Sequence, residues 1–218
     1  HKASLVLPLE RDVTAPGEEV ARLAKMFGDR QVGRLAVVGS NEITGPIIEQ
    51  SYRRLLQLLD AHLQAKPFLM GARPGASDFG LFGQLSQLAL FDPTSADVAV
   101  NEAPRVIAWL HHVEDLGSLE VSEADWTPRE ELGKTIRDLL SEVGRIYVPF
   151  LLANAAALER GEKQMECQLD GHPWVQSSFP YQAKCLGWLR EGRAALSSDE
   201  RTAVDGMLEG TGCEALFV

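Results

Sequence analysis

Cysteine is scarce. Only Cys167, Cys185 and Cys213 occur among 218 residues. An odd number at wide spacing argues against a disulfide framework and makes the cytoplasm the expected compartment. Basic residues are outnumbered as well, 21 against 31 acidic, for a net charge of −10. Phosphate backbones require a basic surface, so nucleic acid is not the expected partner. Arg53-Arg54 is the one tight basic pair in a helical pattern, and it makes no stripe. Apolar runs long enough to cross a membrane, about 20 residues, are lacking. The opening HKASLVLPLERD is an apolar patch cut by Pro8 and followed by charges, which is not a signal-peptide pattern. Internal repeats and low-complexity tracts are missing, as are GxSxG, the P-loop and GxGxxG. VVGSNEITG has the glycines of a phosphate cradle without its lysine or spacing, and reads as a loop capping the helix that follows.

What is present is helical periodicity. PGEEVARLAKMFGDRQ (16–31) places Val20, Leu23, Met26 and Phe27 on one face, with Glu18 and Glu19 at its positive end. The stretch after it, GRLAVVGSNE, reads as a strand or a bend. Residues 43–64 carry Ile47, Ile48, Tyr52, Leu55, Leu56, Leu59 and Leu63 at three- and four-residue spacing, the pattern of an amphipathic helix. Lys66-Pro67 ends it. A helix over 76–90 stops at Asp92-Pro93, and another from Ala103-Pro104 turns Val106, Ile107, Trp109, Leu110 and Val113 inward until Gly117. Thr127-Pro128-Arg129-Glu130 reads as a capping box opening a helix with Leu132, Ile136, Leu139, Leu140 and Val143 on one face, and Pro149 breaks or kinks its continuation towards Leu158. Helices over 180–196 and 198–209 complete the chain, the latter opened by a second capping box from Ser197 to Glu200.

One segment changes period. QMECQLDGHPWVQ alternates, then turns at Asp170-Gly171, a strong hairpin signal, with Pro173 suited to an edge strand. The hairpin is expected near 164–176 and must rest on helices. Cys167, His172 and Cys185 have no metal-ligand spacing, so no metal site is expected and Cys167 reads as a hairpin-face residue. A Cys–His nucleophilic pair drawn from Cys185 or Cys213 with His111 or His112 has nothing to activate the thiol. No catalytic residue is assigned.

The most informative stretch is FLMGARPGASDFGLFGQL. An acid, Asp78, heads a run containing Phe79, Leu81, Phe82 and Leu85. With the helix capped at Gly75, Asp78 falls at the third helical position, where its carboxylate can accept the Gly75 N–H and face the positive end of the helix dipole. Gly75 and Asp78 are therefore assigned a structural capping role.

LLQLLDAHLQAKPFLMGARPGASDFGLFGQL, a long helix followed by an aromatic-Leu-x-Gly turn and a capping-box aspartate, resembles the C-terminal domain of glutathione transferases. APRVIAWLHHVEDL is similar to the next helix of that family. The resemblance covers residues 43–116. It departs from the family at Gly75, where Ser or Thr is usual, and in the hundred residues that follow Leu116. No thioredoxin-like βαβ pattern appears in residues 1–42, and the chain starts at His1 rather than Met, so it reads as a transferase lacking its first domain. The expected fold is all-α: a transferase-like core over 1–118 and a helical extension with the hairpin over 119–218, packed on the same core.

The resemblance implies attack of the glutathione thiolate on an apolar electrophile held by this domain. It also implies glutathione as co-substrate, a homodimer, and Met26, Arg30 and Tyr52 as substrate-lining residues. Activity of this chain alone is not expected. The rival reading is a non-catalytic helical binding or assembly module.

Overall fold

Nineteen residues of unbroken amphipathic pattern form the axis on which the molecule is assembled. In the computed structural model, which describes residues 2–218, this helix is α3 (Gly45–Leu63). Pro46 sits in its first turn, where a missing N–H costs nothing. Ile47, Leu56 and Leu59 are buried along it, while Ile48 is 41% exposed. Before α3 come α1 (Lys2–Arg11), α2 (Gly17–Gly33) and a 3-10 turn over Leu35–Val38. That turn, between α2 and α3, excludes the strand and fits the bend between helices. Only Ala24 of α2 is buried, and α2 packs principally against α1.

After α3, the Phe68–Gly71 turn leads into α4 (Ala76–Leu85), whose last turn widens into a π-helical segment, Ser86–Phe91. Asp92 was expected to stop the helix there, but it also starts another. Its Oδ1 accepts the N–H groups of Thr94 (3.0 Å) and Ser95 (3.3 Å), with Pro93 in the first turn of α5 (Pro93–Glu102). Helix α6 (Pro104–Glu114) buries Val106, Trp109, Leu110 and Val113 as expected.

The Thr127 capping box does not form. The Thr127 N–H is bonded to the Met70 carbonyl at 2.8 Å and Pro128 is extended, so the chain makes a 3-10 turn over Arg129–Glu131 before α7 (Gly133–Glu142) begins. Leu132 and Ile136 then join Leu56, Leu59, Phe68, Leu85 and Leu110 in one buried cluster. A π segment, Val143–Tyr147, connects α7 to α8 (Val148–Glu159), so Pro149 falls in the first turn of a new helical stretch. Strands β1 (Gln164–Leu169) and β2 (His172–Ser177) pair antiparallel. Asp170 (φ 50°) and Gly171 (φ 77°) are both left-handed in the turn, as a two-residue hairpin of this kind requires. The hairpin rests on α8 through Met165, Leu169 and Trp174. Helices α9 (Pro180–Ala194) and α10 (Ser198–Leu208) and a terminal 3-10 turn, Cys213–Phe217, close the second half. The Ser197–Glu200 capping box is present, with Ser197 N–H to Glu200 Oε2 at 3.0 Å.

Candidate functional site

The Phe68–Gly71 turn is held from three sides. Asp78, fully buried, accepts the Gly75 N–H on Oδ2 and the Leu69 N–H on Oδ1, both at 2.9 Å. His62, also fully buried, bridges the Phe68 carbonyl (Nε2, 3.1 Å) and the Thr135 hydroxyl (Nδ1, 2.9 Å). A carbonyl can only accept, so Nε2 carries the proton and Nδ1 accepts from Thr135. Burial pushes the His62 pKa down, with Lys66 adding to the effect and the Phe68 carbonyl and Asp78 opposing it. Third, Met70 O and Ala72 N–H pair with Thr127 N–H and Asp125 O, both at 2.8 Å. Gly71 sits in that pairing at φ 143°, and a Cβ there would lie 2.2 Å from Asp125 O, so only glycine fits.

This fixed turn forms the floor of a groove. Its walls are α3 (Ser51, Leu55), the start of α4 (Ser77, Leu81), α7 (Ile136, Leu139, Leu140, Glu142) and the π segment (Val143, Ile146, Tyr147), with Leu69 and Met70 beneath. The cavity is about 430 Å³, within the range of small-molecule sites. Its lining is almost wholly apolar. Ser51, Ser77 and the Tyr147 hydroxyl are neutral, and burial raises the Tyr147 pKa, with Cys185 contributing, so the phenol stays protonated. Glu142 is the single charged residue of the lining.

Glu142 is tied down. Arg54 Nε donates to its two oxygens at 3.0 and 2.9 Å, and the Ser51 hydroxyl donates to Oε1 at 3.2 Å. The same guanidinium reaches the hairpin, where Nη2 donates to Asp170 Oδ2 at 2.8 Å, and Arg145 donates to Asp170 Oδ1. Burial pushes the Asp170 carboxyl up, but the Arg145 hydrogen bond and the charges of both arginines outweigh it and leave its pKa lowered. Arg53 pairs with Glu49 and Glu102, so both members of the basic pair are engaged.

The substrate residues named from the sequence lie elsewhere. Met26 (56% exposed) and Arg30 sit on the outer side of α2, and Tyr52 donates its hydroxyl to the Ser95 carbonyl at 3.1 Å. None of the three lines the groove. Periodicity puts Leu139, Leu140 and Val143 on an inward face but does not mark them as a cavity wall, because no local signal tells a packed face from an open one. Cys213 is buried and donates its S–H to the Leu140 carbonyl at 3.2 Å, whereas Cys167 and Cys185 are half-buried. His111 and His112 are exposed, and His112 stacks on Phe68 at 5.7 Å. Among the described residues no three His, Cys, Asp or Glu side chains are grouped to hold a metal, and no helix is long and apolar enough to cross a membrane.

Comparison with known proteins adds one finding. Residues 20–112, from within α2 to within α6, match the family model for the glutathione S-transferase C-terminal domain. No curated protein and no solved structure matches the chain. The helical architecture, the Phe-Leu-x-Gly turn clamped by Asp78 and this match agree: the chain carries, over residues 20–112, a glutathione S-transferase C-terminal domain.

Proposed function

We propose that this chain supplies the co-substrate side of a glutathione transferase-like enzyme that conjugates glutathione to apolar electrophiles. The observation that carries the reading is the groove between α3, α4 and α7, an apolar, concave site built on the rigid turn of the matched domain. Glutathione itself does not fit there, because it brings two carboxylates and no arginine, lysine or histidine lines the groove. In this reading glutathione is held, and its thiol activated, by a thioredoxin-like domain outside these residues, and the groove positions the carbon to be attacked. Met26 and Arg30, exposed on α2, and Tyr52 of α3, whose hydroxyl is bonded to the Ser95 carbonyl, are proposed as further substrate-side residues that such a domain would cover. A homodimer is proposed on family grounds. A reducing, cytoplasmic setting is proposed because the three thiols are unpaired.

The test is glutathione-dependent conjugation of 1-chloro-2,4-dinitrobenzene by residues 1–218 alone and by the intact protein isolated from its source. The reading expects turnover by the intact protein and none above buffer by residues 1–218. Turnover by the isolated chain would contradict the division of labour.

The alternative, a non-catalytic assembly module, is favoured by a different observation. Leu5, Leu9, Met26, Val32, Leu35 and Val38 leave the α1–α2 region with exposed apolar side chains. It expects an intact protein that forms a stable complex and conjugates nothing.

A further inference from the structure

From the charge of its walls, we infer that the groove selects uncharged ligands of about two fused aromatic rings and turns away their anionic counterparts. The inference rests on the co-substrate reading of the groove and narrows it to a chemical class.

Three observations support it. First, the lining contains no cation. An anionic ligand entering it would lose hydration and gain no partner, which is costly in an apolar site. Second, the one charge present is a carboxylate. Glu142 is balanced by Arg54, but that guanidinium lies behind it, with Nε on Glu142 and Nη2 on Asp170, and is not part of the lining. The Glu142 side chain is 10% exposed and its oxygens are engaged by Arg54 and Ser51, so an anionic ligand meets an apolar wall with no free positive charge. Third, the start of α4, which would otherwise attract an anion, is already answered by the Asp78 carboxylate at its third position. Tyr147 and the two serines are neutral hydroxyls that a polar but uncharged group can meet. The cavity of about 430 Å³ holds a bicyclic aromatic with a substituent.

The experiment uses two fluorescent probes that differ by one charge: N-phenyl-1-naphthylamine, which is neutral, and 1-anilinonaphthalene-8-sulfonate, which is anionic. Both are titrated into the chain and into Val143→Trp, which fills the groove from a 40% exposed position, with circular dichroism as the folding control. The neutral probe is expected to bind at least about tenfold more tightly than the sulfonate and to lose at least about tenfold in Val143→Trp. Val143→Lys, or Ser77→Arg at a second exposed wall position, puts a cation into the lining and is expected to narrow or reverse the preference. If both probes bind equally and both are lost in Val143→Trp, charge selection is overturned and the groove remains the ligand site. If neither probe responds to Val143→Trp, the groove is not the site, and the co-substrate reading falls with the inference. If the neutral probe is displaced as protein concentration rises into a dimer, a second copy covers the groove, and the small-molecule assignment is overturned.

Discussion

Two backbone N–H groups, that of buried Leu69 and that of half-buried Gly75, have the Asp78 carboxylate as their acceptor. Replacing Asp78 with Ala removes both bonds at once and strands the buried Leu69 donor, so Asp78→Ala is expected to lose about 3 kcal/mol in urea unfolding. Asp78→Asn keeps an acceptor oxygen for one N–H and is expected to lose about half as much. One of these two bonds was legible in the sequence. The Gly75 bond follows from three-residue spacing, whereas the Leu69 bond joins residues nine apart and depends on how the turn folds back. His62 gives the residue scale its pH dependence. Its folded pKa lies below the ordinary value near 6.5, chiefly through burial. Above the unfolded pKa both states are neutral and no stability depends on it. As pH falls through that value the unfolded chain takes up a proton that the folded one resists, so stability declines. The wild type is expected to lose stability as pH falls below about 6.5, and His62→Gln to show a flatter profile there, by thermal unfolding at each pH.

Elements were legible where periodicity was long and illegible where neighbours decided. The pattern over 43–64 returned α3 within two residues, and Asp-Gly returned the hairpin turn. Helix α5 was overlooked because Asp92-Pro93 reads equally as a stop and as a start, and PTSADVAVNE has too weak an apolar face to decide. The Thr127 box failed for a tertiary reason, since its backbone is recruited by the Met70 turn. The hairpin offers a test at this scale. Asp170 both adopts the left-handed turn conformation and pairs with Arg54 and Arg145. Asn tolerates that conformation, so Asp170→Asn keeps the turn and removes the ion pairs. It is expected to lower stability by about 1–2 kcal/mol in urea while circular dichroism stays unchanged. Gly144 tests the junction between the π segment and the tail. A Cβ there would lie 2.0 Å from the Thr211 carbonyl, so Gly144→Ala must displace residues 211–212 or shift the helix. A lowered Tm and faster proteolysis of the tail are expected.

At the scale of the whole molecule, the family segment and the residues after it share one buried cluster, because Leu132 and Ile136 of the later half pack among Leu56, Leu59 and Leu110 of the earlier one. The groove exists only because of that packing. Its floor and one wall come from the matched domain, and its other wall comes from α7 and the π segment, beyond residue 112. This explains why the site was hidden in the sequence although Leu55, Ile136, Leu139, Leu140 and Val143 fall on inward faces by periodicity. Cavities are made by two faces that fail to meet, and periodicity describes one face at a time. The most direct test of the account is a steady-state comparison of the intact protein with its Val143→Trp variant, varying the electrophile and glutathione separately. The account predicts a KM for the electrophile raised about tenfold, with the KM for glutathione unchanged, because only the co-substrate wall has been altered. Unchanged KM values for both, or no glutathione-dependent turnover by the intact wild-type protein, would contradict it.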